Sequence, residues 1–317
     1  FNATRIADYS QSYDLHIDTC VPPSFDYFKA ACRVLFLVTE YSKFPDKFID
    51  LVGGKSNFLR LVDQADYIAT PSLWSSQSLL HLGINPSKIR VIPHGVRQFD
   101  FPIRNIDNSS FRSSLGICED SIIVCSIGTP SFNKGLDILL KSLSVVSQSH
   151  KITLLYKGND AIYGSHSSFK KLLNRLNLKS SSLQIKYIGS NLSAYSLRSL
   201  IYNSDIYASL FRAEGFNMPV AEAYVSGKYI VTTHAPPVTE FVESDGNVYF
   251  VSSDYHTNQD GFGYFEPQLD SAILALKSAC RDVEASPNFL KSCLFSDHIR
   301  PVMSWDDAAC QYVDLVI

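Results

Sequence analysis

"RAEGFNMPVAEAYVSGKYIV" occupies residues 212–231 and reads as one helix running into one strand. Asn217 is a suitable N-cap, Pro219 sits just inside the start it marks, and Gly227 stands where a left-handed C-terminal cap belongs. These signals predict a short helix over 218–226, followed by the strand "YIVTT". Two acids break an otherwise apolar or small stretch. Glu214 lies in the loop before the helix and Glu222 one turn into it. Spacing alone leaves two readings open: a loop acid with a solvated helix-face acid, or two carboxylates gathered at one helix N-terminus for chemistry.

The surrounding sequence repeats the same helix-to-strand alternation. "SIIVCSIG" (121–128) is a short apolar run, and Leu136, Leu139, Leu140 and Leu143 then form an i, i+3, i+4, i+7 stripe. "KITLLYKG" follows as a strand, and Phe169, Leu172, Leu173 and Leu176 mark a second amphipathic helix. "LQIKYIG", "AYSLRSLIYNSD" and "IYASLF" continue as strand, helix and strand. Strands and helices alternating through short links make βαβ units, and so a parallel sheet covered on both faces. A thinner version precedes it. "DLHIDTC", "RVLFLVTE", "DYIATPS" and "KIRVIPHG" are buried-strand candidates, with helices expected near 56–65 and 73–82. "RQFDFPIRNIDNSS" (97–110) has two turn clusters and no periodicity, and is the expected linker. Residues 252–268 read as a surface loop.

Composition narrows the function. A chain of 317 residues with 45% hydrophobic content suits two medium cores. Its 28 basic residues against 31 acidic leave no cationic footprint for nucleic acid. No apolar run approaches the roughly 18 residues that span a bilayer. The seven cysteines are scattered without a C-x-x-C pair, and read as small buried hydrophobes in a reducing, cytoplasmic setting. The histidines have no metal-ligand spacing, and there is no D-x-D pair, no G-x-S-x-G elbow and no G-x-G-x-x-G. No metal or cofactor is expected. His94, in "VIPHGV" at a strand end, is the histidine that invites a functional role.

In a doubly wound sheet ligands bind beyond the carboxyl ends of the strands. "IGTPSFNKGLD" (127–137) is such an end: a Gly, a short loop, then Lys134 just before a helix. Helix-start amides with an ammonium make an anion site, most naturally for phosphate. The helix of the opening stretch offers the amides of Phe216, Asn217 and Met218 in the same way. Glu214 and Glu222 would repel phosphate at close range but would accept from sugar hydroxyls. Phosphate at the amides and hydroxyls at the acids describe a nucleotide sugar.

The chain resembles a retaining family 4 glycosyltransferase of the GT-B fold. The likeness rests on "VIPHGV", "IGTPSFNKGLDILLKSL", "YIGSNLSAYSLRSLIYNSDIYASLF", the E-x7-E stretch "EGFNMPVAEAYVSGKYIVTT" and "FSDHIRPVMSWDDAACQYVDLV", in that order. The resemblance implies two Rossmann-like α/β domains facing a cleft: an acceptor-side domain over 1–104, a donor-binding domain over 105–296, and a closing helix over 297–317 that returns to the first. It implies that something on the order of half an N-terminal domain precedes Phe1, since the family's first strands have no counterpart here. By the same resemblance Glu214 contacts the donor sugar near the reacting centre, Glu222 holds the ribose, and Lys134 neutralises the leaving diphosphate. Phe216, Asn217 and Met218 offer amides, and Gly128 admits the phosphates.

Some positions depart from the family pattern. Where the family carries Arg after the loop Gly this chain has Thr129, and Lys157 is the candidate substitute cation. Where the family often carries an acceptor-side His this chain has Thr39, followed by Glu40, which join His94 as acceptor-side candidates. The implied reaction moves a hexose from a UDP- or GDP-linked donor to a saccharide or lipid-linked acceptor without a metal, with peripheral membrane contact possible. A nucleotide-sugar epimerase and a non-catalytic nucleotide-sugar-binding subunit remain the alternatives.

Overall fold

The computed structural model describes residues 12–23, 25, 29–96, 108–178, 182–244, 246–285 and 304–317. The chain divides into two compact units, Phe1–Gly95 with Met303–Ile317, and Val96–Val302. The domain boundaries expected at 104/105 and 296/297 lie outside the described residues, as does most of the expected linker.

The first unit carries a four-stranded parallel sheet of β1 (Ser12–Asp18), β2 (Lys29–Phe36), β3 (Tyr67–Thr70) and β4 (Ile89–Val91), in that order. Helices α1 (Asp46–Leu51) and α2 (Lys55–Val62) link β2 to β3, and α3 (Leu73–Leu82) links β3 to β4. Ser72 caps α3 by accepting from the Ser75 amide at 3.1 Å, and Gly83 ends it in the left-handed region. Successive strand residues face opposite layers. Leu35 joins Phe58, Ile68 and Leu79 on one side, while Val34 joins Cys32, Ala69 and Ile92 on the other. That second layer is completed by Ala308 of the C-terminal helix Trp305–Val313, which Ser304 and Asp307 start with a capping box. Gly95 touches the start of this helix. A Cβ there would stand 2.2 Å from the Trp305 nitrogen.

The second unit opens with α4 (Asn108–Leu115) and β5 (Ile122–Ile127), then α5 (Leu136–Val146) and β6 (Ile152–Lys157). It continues through α6 (Asp160–Tyr163), α7 (Ser165–Leu176), β7 (Gln184–Ile188), α8 (Ala194–Tyr202) and β8 (Ile206–Ser209). Then come α9 (Met218–Val225), β9 (Tyr229–Thr233), β10 (Val248–Val251), the pair β11 (Ser253–Thr257) and β12 (Gly263–Pro267), and α10 (Leu269–Ala285). Six parallel strands run in the order β10-β9-β8-β5-β6-β7. The leucine stripe of α5 is buried on one face with Val124, Leu154 and Leu276. Val220 and Ala221 of α9 pack on the other with Ile123, Cys125 and Tyr207.

Residues 252–268 are not the expected loop. They form the antiparallel hairpin β11–β12, with His256 opposite Tyr264 and Asp254 opposite Glu266. The turn residues at the centre hid the flanking strands. Asn258 builds that turn by accepting from the amides of Asp260 and Phe262 at 3.0 and 2.9 Å.

Gly95→Ala is expected to destabilise the first unit by about 1–3 kcal/mol, because backbone rather than a movable side chain meets the new methyl. Urea unfolding followed by Trp305 fluorescence in a Trp74→Phe background checks this, and an unchanged midpoint would show that the contact is looser than described.

Candidate functional site

The sheet of the second unit reverses its winding at β5: β6 and β7 lie on one side of it, β8, β9 and β10 on the other. The loops that leave the carboxyl ends of β5 and β8 therefore emerge side by side, at the topological switch point where such sheets bind ligands. These are the two loops singled out in the sequence.

Their backbones are joined. The amides of Arg212 and Ala213 donate to the Asn133 carbonyl at 2.7 and 3.2 Å. Gly135, with φ of +60°, packs so closely that a Cβ would lie 1.6 Å from the Leu210 oxygen. A side chain there would meet both a backbone wall and an unfavourable φ. On this frame Lys134 Nζ reaches Glu214 Oε1 at 2.9 Å, with the two side chains 24% and 11% exposed. The pair is anchored yet open to solvent on one side.

Asn217 sits at the N-cap position but does not cap. It adopts the left-handed region at φ 73°, and its amide group donates to Ser209 Oγ at 3.0 Å. Its side chain is committed to holding the loop, so the first-turn amides of α9 have no side-chain cap. The Phe216 ring stacks on Phe241 with centroids 4.8 Å apart, leaving its backbone as the part that faces the loop. Met218 is the first residue of α9 and packs partly into the same core. Gly227 follows in the left-handed region at φ 66°, where the sequence placed it.

Glu222 is half-buried on α9. Burial pushes its carboxyl above the usual carboxylate range, against the pull of Arg198. Glu214 and Glu222 both raise the buried Tyr207 phenol, which burial has already pushed up strongly. The two acids thus share a neighbour on β8.

The remaining donor-side candidates divide. A Cβ on Gly128 would meet only the aliphatic part of Lys134, at 3.7 Å, and Tyr156 donates to the Gly128 carbonyl at 2.8 Å. The Thr129 hydroxyl pairs with Ser131 Oγ at 3.1 Å. Lys157 lies beside this loop, since the Gly128 amide donates to its carbonyl at 3.0 Å. Its ammonium, however, is buried and donates to the Gly158 carbonyl. Burial lowers its pKa, and Asp160 offsets this in part.

The acceptor-side candidates belong to the first unit. Thr39 is fully buried, with its hydroxyl 2.6 Å from Ser78 Oγ and 3.2 Å from the Tyr41 carbonyl. Glu40 accepts from the Trp74 indole through its carbonyl at 2.8 Å. His94 lies between Phe36 and Trp305, at 5.5 and 5.9 Å between centroids, and burial lowers its pKa.

One residue of this region escaped the sequence reading. Arg212 is buried and forms a two-point pair with Asp137 at 2.7 and 2.9 Å and another with Glu266 at 2.6 and 2.7 Å. An arginine at the end of an apolar strand was the available signal. Its partners, 75 positions before and 54 after it, were not legible.

Among the described residues no group of His, Cys, Asp or Glu is placed to hold a metal ion, and no helix is long and apolar enough to cross a membrane.

Residues 107–259 match the family described as Glycosyl transferases group 1. The chain carries that family's pattern over this span, a little under half of its length. Its α/β architecture with parallel Rossmann-like sheets is of the GT-B class. The chain is 23% identical over 233 residues to the phosphatidylinositol N-acetylglucosaminyltransferase GPI3 subunit of Saccharomyces cerevisiae, covering 73% of this chain and 46% of that one. It thus spans about half the length of the curated relatives it matches. Among solved structures, Anabaena HepE in complex with UDP and glucose is 19% identical at a TM-score of 0.67, covering 92% of this chain and 73% of that one. A glycosyltransferase of Rickettsia africae is 15% identical at a TM-score of 0.67, covering 96% and 76%.

Glu222 supplies a test of whether α9 carries a buried acid. Its carboxyl titrates higher in the folded chain than in the unfolded one, so the folded state holds the extra proton in between and loses stability as pH rises through that window. Glu222→Gln should therefore raise the urea midpoint at pH 7 and leave it unchanged below the unfolded carboxylate pKa. Equal midpoints at both pH values would mean a solvated helix-face acid.

Proposed function

We propose that this glycosyltransferase moves a hexose from a UDP- or GDP-linked donor to a saccharide or lipid-linked acceptor, with retention at the anomeric carbon. The observation that carries the reading is the Lys134–Glu214 contact at the switch point, 2.9 Å long and partly open to solvent. A cation and a carboxylate held there can be separated by a ligand that carries phosphate at one end and hydroxyls at the other.

In this reading the donor diphosphate takes the Lys134 ammonium from Glu214. The freed carboxylate accepts from sugar hydroxyls near the reacting carbon. As the glycosidic bond breaks, Lys134 and the first-turn amides of α9 balance the charge that grows on the diphosphate, a stabilisation larger in a half-dry site than in water. Glu222 accepts from the ribose hydroxyls, which provide the donors that its buried carboxylate lacks. Thr129 contributes a hydroxyl where the family pattern has a second cation. Lys134 is then the main positive charge on the leaving group, and no metal ion has a role. The UDP and UDP-glucose complexes of Anabaena HepE support the donor class, and the name of the yeast relative supports a lipid-linked acceptor. The acceptor would engage residues of the first unit, for which His94 and Glu40 remain candidates. A lipid-linked acceptor would place the reaction at a membrane surface, on the cytoplasmic face in this reading.

A second reading, a nucleotide-sugar-binding subunit without turnover, draws on one specific observation. The Lys157 ammonium is spent on its neighbour's carbonyl rather than directed to the Thr129 loop.

Calorimetric titration with UDP, GDP and a small panel of their sugars, without added metal, tests the donor site. One nucleotide family is expected to bind, and Glu222→Ala to weaken it by about 1–3 kcal/mol. Absence of binding across the panel would overturn the reading. Lys134→Ala is expected to slow nucleotide release from the bound donor more than it weakens binding. Equal losses would make Lys134 a phosphate anchor only, and donor binding without any release would favour the second reading.

A further inference from the structure

Arg212 has five side-chain N–H donors, and all five are used inside the protein. Nε and one Nη2 hydrogen go to Glu266 at 2.6 and 2.7 Å. Nη1 and the other Nη2 hydrogen go to Asp137 at 2.7 and 2.9 Å, and the second Nη1 hydrogen goes to the Phe132 carbonyl at 2.9 Å. The Phe132 ring covers the guanidinium at 4.3 Å, with Tyr264 edge-on to that ring at 5.2 Å. An arginine saturated in this way has no donor to offer a phosphate. It stands two residues from Glu214 without being a ligand group.

The triad ties together three segments distant in sequence: the β8–α9 loop through Arg212, the first turn of α5 through Asp137, and β12 through Glu266. Its contacts with 132 and 137 bracket Lys134, while the bonds of the Arg212 and Ala213 amides to Asn133 and the closure of Gly135 on Leu210 hold the same two loops from the backbone. The Phe265 amide adds a bond to the Arg212 carbonyl at 2.8 Å. Burying the Arg212 guanidinium against two partly exposed acids is poorly repaid in stability, since apolar side chains of equal volume commonly do as well. Two-point pairing fixes direction as well as distance, which apolar packing does not.

We propose that Arg212, clamped between Asp137 and Glu266, is a positioning residue that sets Lys134 against Glu214, and that the β11–β12 hairpin serves the site by supplying Glu266. The consequence for turnover rests on the transferase reading above; the ordering of the two loops does not.

The test compares Arg212→Lys and Glu266→Gln with Asp205→Asn. That control removes the charge of a partly buried acid that accepts from Arg112 and from the Ile123 amide, at 3.1 and 2.8 Å, at the opposite end of β5 and β8. Lysine keeps the charge but cannot form two fork-like pairs, so it should not rescue. Hydrogen exchange is expected to accelerate at the amides of Lys134, Gly135, Arg212 and Ala213 in the two triad variants and not in the control. With UDP-glucose and GDP-mannose as probes, nucleotide release should fall by about 10²-fold while donor affinity changes by less than about tenfold, the split expected of misplacement rather than lost contact. Unchanged exchange at those amides, or an equal loss of turnover in the control, would overturn the proposal. If the wild-type chain binds neither donor, the transferase reading falls, and the exchange pattern alone decides whether the clamp exists.

Discussion

The parallel pairing of β5 with β8 is the constraint from which the rest of the second unit follows. Val124 lies opposite Ile206 and Cys125 opposite Tyr207, although the two strands are separated by two further strands and four α-helices in sequence. Parallel strands point their carboxyl ends the same way. The loops that leave them therefore meet, and residues 80 positions apart come into hydrogen-bond contact. A different strand order would leave Lys134 and Glu214 on separate edges, each with an unremarkable solvated role. The winding order thus assembles the candidate site from two loops that are ordinary on their own.

The charges at that junction fall into three kinds. Arg212, Asp137 and Glu266 are mutually saturated. Burial alone would push the Asp137 carboxyl up, yet the guanidinium overrides it and holds the group below the usual range. Such a cluster is costly to break and has no capacity for a ligand. Lys134 and Glu214 instead meet through a contact of 2.9 Å, with the lysine side chain 24% exposed, and in the proposed reading an incoming anion takes Glu214's place on that ammonium. Glu222 is a third case, an acid whose burial is not matched by a strong cation. Acids kept in that condition cost stability in the empty protein, and a hydroxyl-rich ligand would relieve the cost. A fixed triad beside a separable pair is the arrangement that the proposed donor site would use.

The first unit shows how a few contacts decide local architecture. Its second layer is built by a helix from the far end of the chain, and Gly95 is where that helix begins to touch. Ala308 lies 2% exposed against Cys32, Val34, Ala69 and Ile92. Small residues at both contacts permit the close approach. Thr39 and Ser78 are likewise absorbed into the interior by a shared 2.6 Å contact, so the polar residue at the position where the family pattern has a histidine has become part of the core.

Sequence by itself determined what depends on short-range periodicity and on backbone-specific residues. The α5 stripe, the strands β5 to β9, the span of α9 and the left-handed Gly227 all follow from neighbours within a few positions. Lys134, Glu214 and Glu222 were legible as candidates because they stand at strand ends and a helix start, where such sheets bind ligands, while their individual roles rest on the family resemblance. Tertiary structure alone decided the rest. It turned Asn217 away from capping, because Ser209 on β8 offered its side chain a partner. It made strands of 253–257 and 263–267, whose pairing across an Asn-centred turn was masked by turn residues. It spent the Lys157 ammonium on a carbonyl and gathered Arg212 with two acids from distant segments. Each of these outcomes depends on which atoms three-dimensional packing brings within 3 Å or so, and local composition carries no record of that distance.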